Sequence, residues 1–268
     1  MPIQYTSIRR HNKALPGLIL RAIAAALGAG LLANTGVAAE QDDASDADRW
    51  APALEVYAWA PAVDLEFPDG SHGQIGMKDV IQDIDFAFML LGGVRKGDWL
   101  IGMDLIYADL SHDIGGTRGP LELEKLEVEA WVVAPFVSYR VVNNDRWTLE
   151  VLGAASYYWE ELTQTIQVNI PDTESPKLSG KDSVWNYSVG VRGNIELSDR
   201  WYMPYRFDVG TGDSDTIAQA LAGFAYRFDS FDLQFGYRYM TWRPSSGEDQ
   251  IFREQNVYGF YAGALFRF

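Results

Sequence analysis

Beyond residue 40 the chain holds two histidines, His72 and His112, and the second lies in Ser111-His112-Asp113, the residue types of a nucleophile, a base and an orienting acid. A triad must converge on one point. Neighbours on an extended chain project to opposite sides, so this tripeptide cannot relay a proton along itself. A hydrolytic site assembled across loops would draw on Asp109, His112, Asp213 and Asp215, and spacing alone does not bring them together. Thr211-Gly212-Asp213-Ser214-Asp215 looks like part of a calcium loop, but it lacks the length and the distal bidentate Glu, so a tight turn is expected. With no cysteine there is neither a thiolate metal site nor a disulfide framework. No catalytic residue, metal site or cofactor is expected.

The other charged residues with informative spacing are Glu55, Asp104, Glu150, Glu196 and Asp208 against Arg95, Arg192, Arg206, Arg227, Arg238 and Arg267. They recur on one face of alternating segments. From Trp185, the residues Trp185, Tyr187, Val189, Val191, Ile195 and Leu197 share a face opposite Asn186, Ser188, Gly190, Arg192, Asn194 and Glu196. A strand over 201–210 sets Trp201, Met203, Tyr205, Phe207 and Val209 against Tyr202, Arg206, Asp208 and Gly210. Another sets Leu233, Phe235, Tyr237 and Tyr239 against Gln234, Gly236 and Arg238. One face is a nearly charge-free apolar band, unlike the outward face of a soluble sandwich. That pattern fits a lipid face and a lumen face. The lumen charges then form either a salt-bridge network that stiffens a narrow barrel or a charged constriction that selects small solutes.

The elements that must position these residues follow a regular beat. Asp48-Arg49-Trp50, Gly97-Asp98-Trp99, Asp145-Arg146-Trp147, Asp199-Arg200-Trp201 and Asp229-Ser230-Phe231 each place a bulky aromatic directly after a polar turn, at the start of an extended segment. One further segment lies between successive beats, giving ten predicted strands: 50–67, 85–95, 99–111, 121–142, 147–170, 182–197, 201–210, 216–228, 231–243 and 255–268. Eight and twelve are the neighbouring counts. Short connections alternate with mostly longer ones. The fold class is therefore all-β, a closed antiparallel transmembrane β-barrel with short periplasmic turns, longer external loops and both termini periplasmic. Trp99, Trp147, Trp201 and Phe231 mark one aromatic girdle, and Tyr107, Tyr157, Trp159, Trp185 and Tyr239 the other. His72 and His112 fall in predicted external loops. Val80, Ile81 and Ile84 would share one side of a single helical turn between Asp79 and Asp85, capping the barrel mouth or folding inward. Pro135 and Pro204 interrupt predicted strands of a sheet without an edge, so bulges or rim positions are expected.

Residues 1–39 read as a removed signal peptide: Arg9, Arg10 and Lys13 lead to the apolar run Ala22–Ala33 and the small-residue stretch ending at Ala39. Residues 40–49 form a short periplasmic segment and 50–268 a single barrel domain. Taking away four basic and no acidic residues moves the formal charge from −15 to −19, which argues against a nucleic-acid partner.

The last strand, Tyr258 to Phe268, alternates apolar residues back from a terminal Phe. With Phe260, Phe266 and Phe268, it resembles the C-terminal signal by which the barrel-insertion machinery recognises outer-membrane barrels. Asp85-Phe86-Ala87-Phe88-Met89, Leu197-Ser198-Asp199-Arg200-Trp201-Tyr202-Met203-Pro204-Tyr205, Gly236-Tyr237-Arg238-Tyr239 and Leu265-Phe266-Arg267-Phe268 resemble a largely uncharacterised group of small Gram-negative outer-membrane barrels, with the outer-membrane protein A/W-like barrels as looser cousins. The resemblance implies a fold, an outer-membrane location and contact with membrane lipid and lipopolysaccharide. It supplies no catalytic residues. The functions it leaves open are a structural barrel or narrow channel, a surface-loop binding barrel, and an outer-membrane enzyme such as an omptin-like protease or a lipid A modifier.

Overall fold

A computed structural model describes residues 49–113, 121–168, 177–244 and 253–268. The expected signal peptide and nearly all of the segment after it lie outside the described residues. Alternating polarity produces long strands: β1 (Ala51–Glu66), β3 (Ile84–Lys96), β4 (Trp99–Asp113), β5 (Leu121–Asn143), β6 (Trp147–Val168), β7 (Lys177–Glu196), β8 (Trp201–Gly212), β9 (Ser214–Arg227), β10 (Asp232–Pro244) and β11 (Glu254–Arg267). Each pairs antiparallel with its chain neighbour, and β11 returns to β1 in register from Ala53↔Arg267 to Glu66↔Glu254. The β11–β1 pairing closes the sheet into a barrel, as a sheet in hydrocarbon requires, and the ladder is incomplete between the upper part of β1 and β3.

One feature goes beyond the expected ten staves. A short β2 (His72–Ile75) pairs with the top of β1, and α1 (Met77–Gln82) follows it. β1 meets β3 only from Ala51↔Arg95 to Tyr57↔Met89, so above that point β2 continues the sheet beside β1. Helix α1 starts before the predicted turn and buries Val80 completely, while Ile81 is exposed. His72 lies in β2 and His112 in β4, so neither is a loop residue as expected.

The prolines differ from expectation too. Pro135 pairs with Met103 inside β5, and pairing with β6 lapses there, but the register resumes unchanged at Phe136↔Ala154. Pro204 pairs with Asn194, and pairing with β9 resumes unshifted at Tyr205↔Ala222. A local gap in the ladder accommodates the missing N–H without inserting a residue. The register shifts lie elsewhere, for example at Arg140/Val142 and at Arg243/Pro244.

The outer surface exposes large apolar side chains around the whole ring, including Val56, Val94, Ile101, Val137, Val151, Val189, Phe207, Phe224, Leu233, Phe235 and Phe260. A belt so continuous has no counterpart on a soluble monomer and identifies a lipid-facing surface. Aromatic contacts edge it. At the turn end, Trp99 meets Tyr139 at 4.9 Å and Trp201 meets Tyr226 at 5.0 Å. At the loop end, Phe88, Tyr107 and Trp131 cluster within 4.5–5.9 Å of one another. Trp99 and Tyr107 are eight residues apart along β4; at ~3.3 Å per residue and ~40° tilt this spans about 20 Å, close to the apolar height of an outer-membrane barrel.

Candidate functional site: the barrel interior

The interior is built in two layers. Nearest the short turns the strands bring their inward charges together around Glu150, which is 4 % exposed. Arg95 from β3 pairs with its Oε1, Arg192 Nε from β7 lies 3.6 Å from its Oε2, and the Ser138 hydroxyl from β5 donates to Oε2 at 2.5 Å. On the next strands Arg206 Nε donates to Asp208 at 2.6 Å and Gln219 donates to the same carboxylate oxygen at 2.6 Å. Arg238 then donates to the Gln219 carbonyl oxygen at 2.9 and 3.2 Å, and its guanidinium sits 5.0 Å from the Trp59 ring centroid. These contacts run from wall to wall: Arg192, Arg206 and Arg238 are each only 2 % exposed.

The layer continues toward the closing seam. Tyr57 donates to Asp104 at 3.0 and 3.2 Å, and Tyr202 donates to Asp232 at 2.6 Å, where Arg267 also binds. Arg227 grips Glu196 with two hydrogen bonds of 2.6 and 2.7 Å and stacks 4.4 Å from the Tyr202 ring. Glu55 is buried against Gly263, where a Cβ would come within 2.4 Å of its Oε1, so the glycine makes room for the carboxylate. Among the described residues the buried cations of this layer are all arginines, whose rigid, planar fork of donors pairs with carboxylates bidentately where a lysine's single ammonium does not.

Toward the loops the interior changes character. Trp59, Val63, Leu65, Met89, Ile106, Leu110, Val128, Val132, Tyr158, Met240 and Val257 are buried together, and Val80 of α1 joins them at 0 % exposure. A largely apolar cluster, with the buried Glu160, Asn186, Ser214 and Gln255 around it, therefore sits above an ion-paired layer.

All eleven charges expected on the lumen face, Glu55, Arg95, Asp104, Glu150, Arg192, Glu196, Arg206, Asp208, Arg227, Arg238 and Arg267, are buried or half-buried. The expectation omitted Arg140, Asp232, Gln219, Gln234, Tyr57 and Tyr202, which belong to the same interior. Asp232 lies two residues before Gln234 and Arg140 two after Ser138, so strict alternation carried to the strand ends would have found both. It also gave no sign of the apolar cluster in the loop half.

The acidic rim residues do not meet. Asp109 and His112 belong to β4, whereas Asp213 and Asp215 lie where β8 passes into β9, four staves away round the ring. Asp109 also lies between the inward-facing Ala108 and Leu110, so its side chain is on the outer face. Asp213 accepts the Trp185 N–H at 2.8 Å, and the Thr211 hydroxyl donates to the Ser214 and Asp215 carbonyl oxygens at 3.1 and 3.0 Å, the bonding of a tight turn.

No protein-family model matches the chain, and no curated protein matches it. Among solved structures it is similar to the translocator domain of the autotransporter NalP from Neisseria meningitidis, at 12% identity, covering 82% of this chain and 91% of that one, with a TM-score of 0.44. It is also similar to the outer-membrane protease OmpT from Escherichia coli, at 8% identity over 82% and 96% of the two chains and a TM-score of 0.41. A third is the toluene transporter TbuX from Ralstonia pickettii, at 9% identity over 82% and 89% and a TM-score of 0.39. The three differ in what they do, and none of their activities transfers at this distance.

Proposed function

We propose that the chain is an integral outer-membrane barrel whose interior is sealed, so that it serves as a membrane-embedded structural element and not as an open pore. The observation that carries this reading is the burial of Arg192, Arg206 and Arg238 across the barrel beneath an apolar layer closed by Val80. A conducting lumen would leave such charges in contact with water along a continuous path; here they bind one another's partners instead. On this reading the lumen charges are a stiffening network, the short turns and both termini face the periplasm, and the belt contacts outer-membrane lipid with lipopolysaccharide on the loop side. The barrel-insertion machinery is the partner during assembly, reading Phe260, Phe266 and Phe268 of the last strand. Planar-bilayer recording tests the seal: reconstituted barrel should give a silent trace, and reproducible unitary openings would overturn the proposal.

A second reading, a binding surface on the loop side, is favoured by the length of the wall. β5 and β6 remain paired from the girdle pair Trp131↔Trp159 out to Leu121↔Val168, well past the apolar belt.

A further inference from the structure

The lipid-facing wall carries a hollow of about 420 Å³ bounded by Arg146, Trp147, Ile195 and Tyr205, beside the short turns. Its floor follows from the register. Trp147 pairs with Ile195 across β6 and β7, and Gly193 pairs with Tyr205 across β7 and β8. Tyr205 does not stand out from the wall. Its hydroxyl crosses β7 to donate to the Thr148 carbonyl oxygen at 2.8 Å, passing over Gly193, where a Cβ would lie 2.7 Å from that hydroxyl and 1.9 Å from the Thr148 oxygen. Any side chain at 193 would lift the ring.

The rim is equally fixed. Asn144 accepts the N–H groups of Arg146 and Trp147 at 3.0 and 3.1 Å, and the Arg146 carbonyl oxygen accepts the Glu196 N–H at 2.8 Å. The Arg146 side chain is nevertheless exposed and makes no ion pair among the described residues. Its counterpart in the next turn differs: Arg200 lies 3.8 Å from Asp229 and donates to the Tyr226 hydroxyl at 3.4 Å. An apolar hollow continuous with the lipid belt, with an unpaired guanidinium at its headgroup edge, is suited to a phosphate carried on a hydrocarbon chain.

We propose that this hollow holds one anionic diacyl phospholipid of the turn-side leaflet, with an acyl chain along Ile195 and Tyr205 and the phosphate on Arg146. The assignment rests on the barrel spanning a membrane. Native mass spectrometry of the detergent-extracted barrel, after exchange into micelles doped with equal phosphatidylglycerol and phosphatidylcholine, reads it out. One phosphatidylglycerol should be retained in preference to phosphatidylcholine. R146Q should lower that retention about fivefold, R146K should largely restore it, and R200Q should leave it unchanged. I195W, which fills the hollow without altering charge, should lower retention of both lipids. Equal retention of the two lipids by the wild type, or an R200Q loss as large as that of R146Q, overturns the site. A chain released from membranes by carbonate without detergent would instead overturn the membrane-spanning reading beneath it.

Discussion

Removing the carboxylate of Glu150 would strand two guanidinium groups in a place neither can leave, because Arg95 and Arg192 reach it from different staves and both are buried. Breaking one partner out of a buried ionic cluster typically costs about 3–5 kcal/mol, most of it the penalty of the charges left behind. E150A should therefore lower the stability of the barrel in micelles by that amount, read as the shift in a urea unfolding curve followed by tryptophan fluorescence. E150Q should cost less, since the amide still offers an acceptor to the Ser138 hydroxyl. A loss under about 1 kcal/mol for E150A would mean that the cluster does not brace the wall. Which residues form it was largely legible, because a period of two sorts Glu150, Arg192 and Arg206 inward by parity alone. Which residues they bind was not, since partners come from strands distant in sequence. Arg140 and Asp232 lie near the turn ends of β5 and β10, where each still keeps the parity of its neighbours Ser138 and Gln234, and they were missed because the alternation was not carried that far.

At the scale of elements, β2 and α1 are the part of the fold least visible in the sequence. The strand boundaries followed from turn residues and alternation over a dozen or more positions, whereas a six-residue helix is too short for a 3.6-residue period to define a face. The spacing of Val80, Ile81 and Ile84 accordingly grouped an exposed residue with a fully buried one. Only tertiary packing against β1 selects Val80. Placing a carboxylate there, as in V80D, would bury a charge in the apolar layer at a cost of several kcal/mol, and the segment from Phe67 to Asp83 should come away before any stave does. Limited proteolysis should then cut within residues 68–83 of V80D while the remaining barrel keeps its heat-modifiable mobility. Bilayer recordings of V80D should stay silent, because the ion-paired layer beneath is intact. Unaltered protease resistance would show that Val80 does not hold the segment in place.

For the whole molecule, one choice fixes everything else: which rim carries the short turns and the two chain ends. β1 begins and β11 ends at the same rim, Ala53 facing Arg267, and the turns at 97–98, 144–146, 198–200 and 229–230 lie there too. The opposite rim carries the β1–β2 turn with Ser71 and the β8–β9 turn at Asp213. Ten staves force this arrangement, since an even number of antiparallel strands must return the chain to the side from which it started. The sequence alone predicted the count, because the aromatic beat after each short turn marks every second strand and survives any uncertainty about boundaries. Which rim faces outward is testable with unusual economy, as the chain has no cysteine and any thiol introduced is the only one. S71C and D145C both substitute exposed turn residues. With a membrane-impermeant maleimide, S71C should label on intact cells, whereas D145C should label only after the outer membrane is opened. The two positions differ by one full crossing of the wall, so the reverse pattern would invert the orientation. Labelling of both on intact cells would contradict a membrane-spanning barrel altogether.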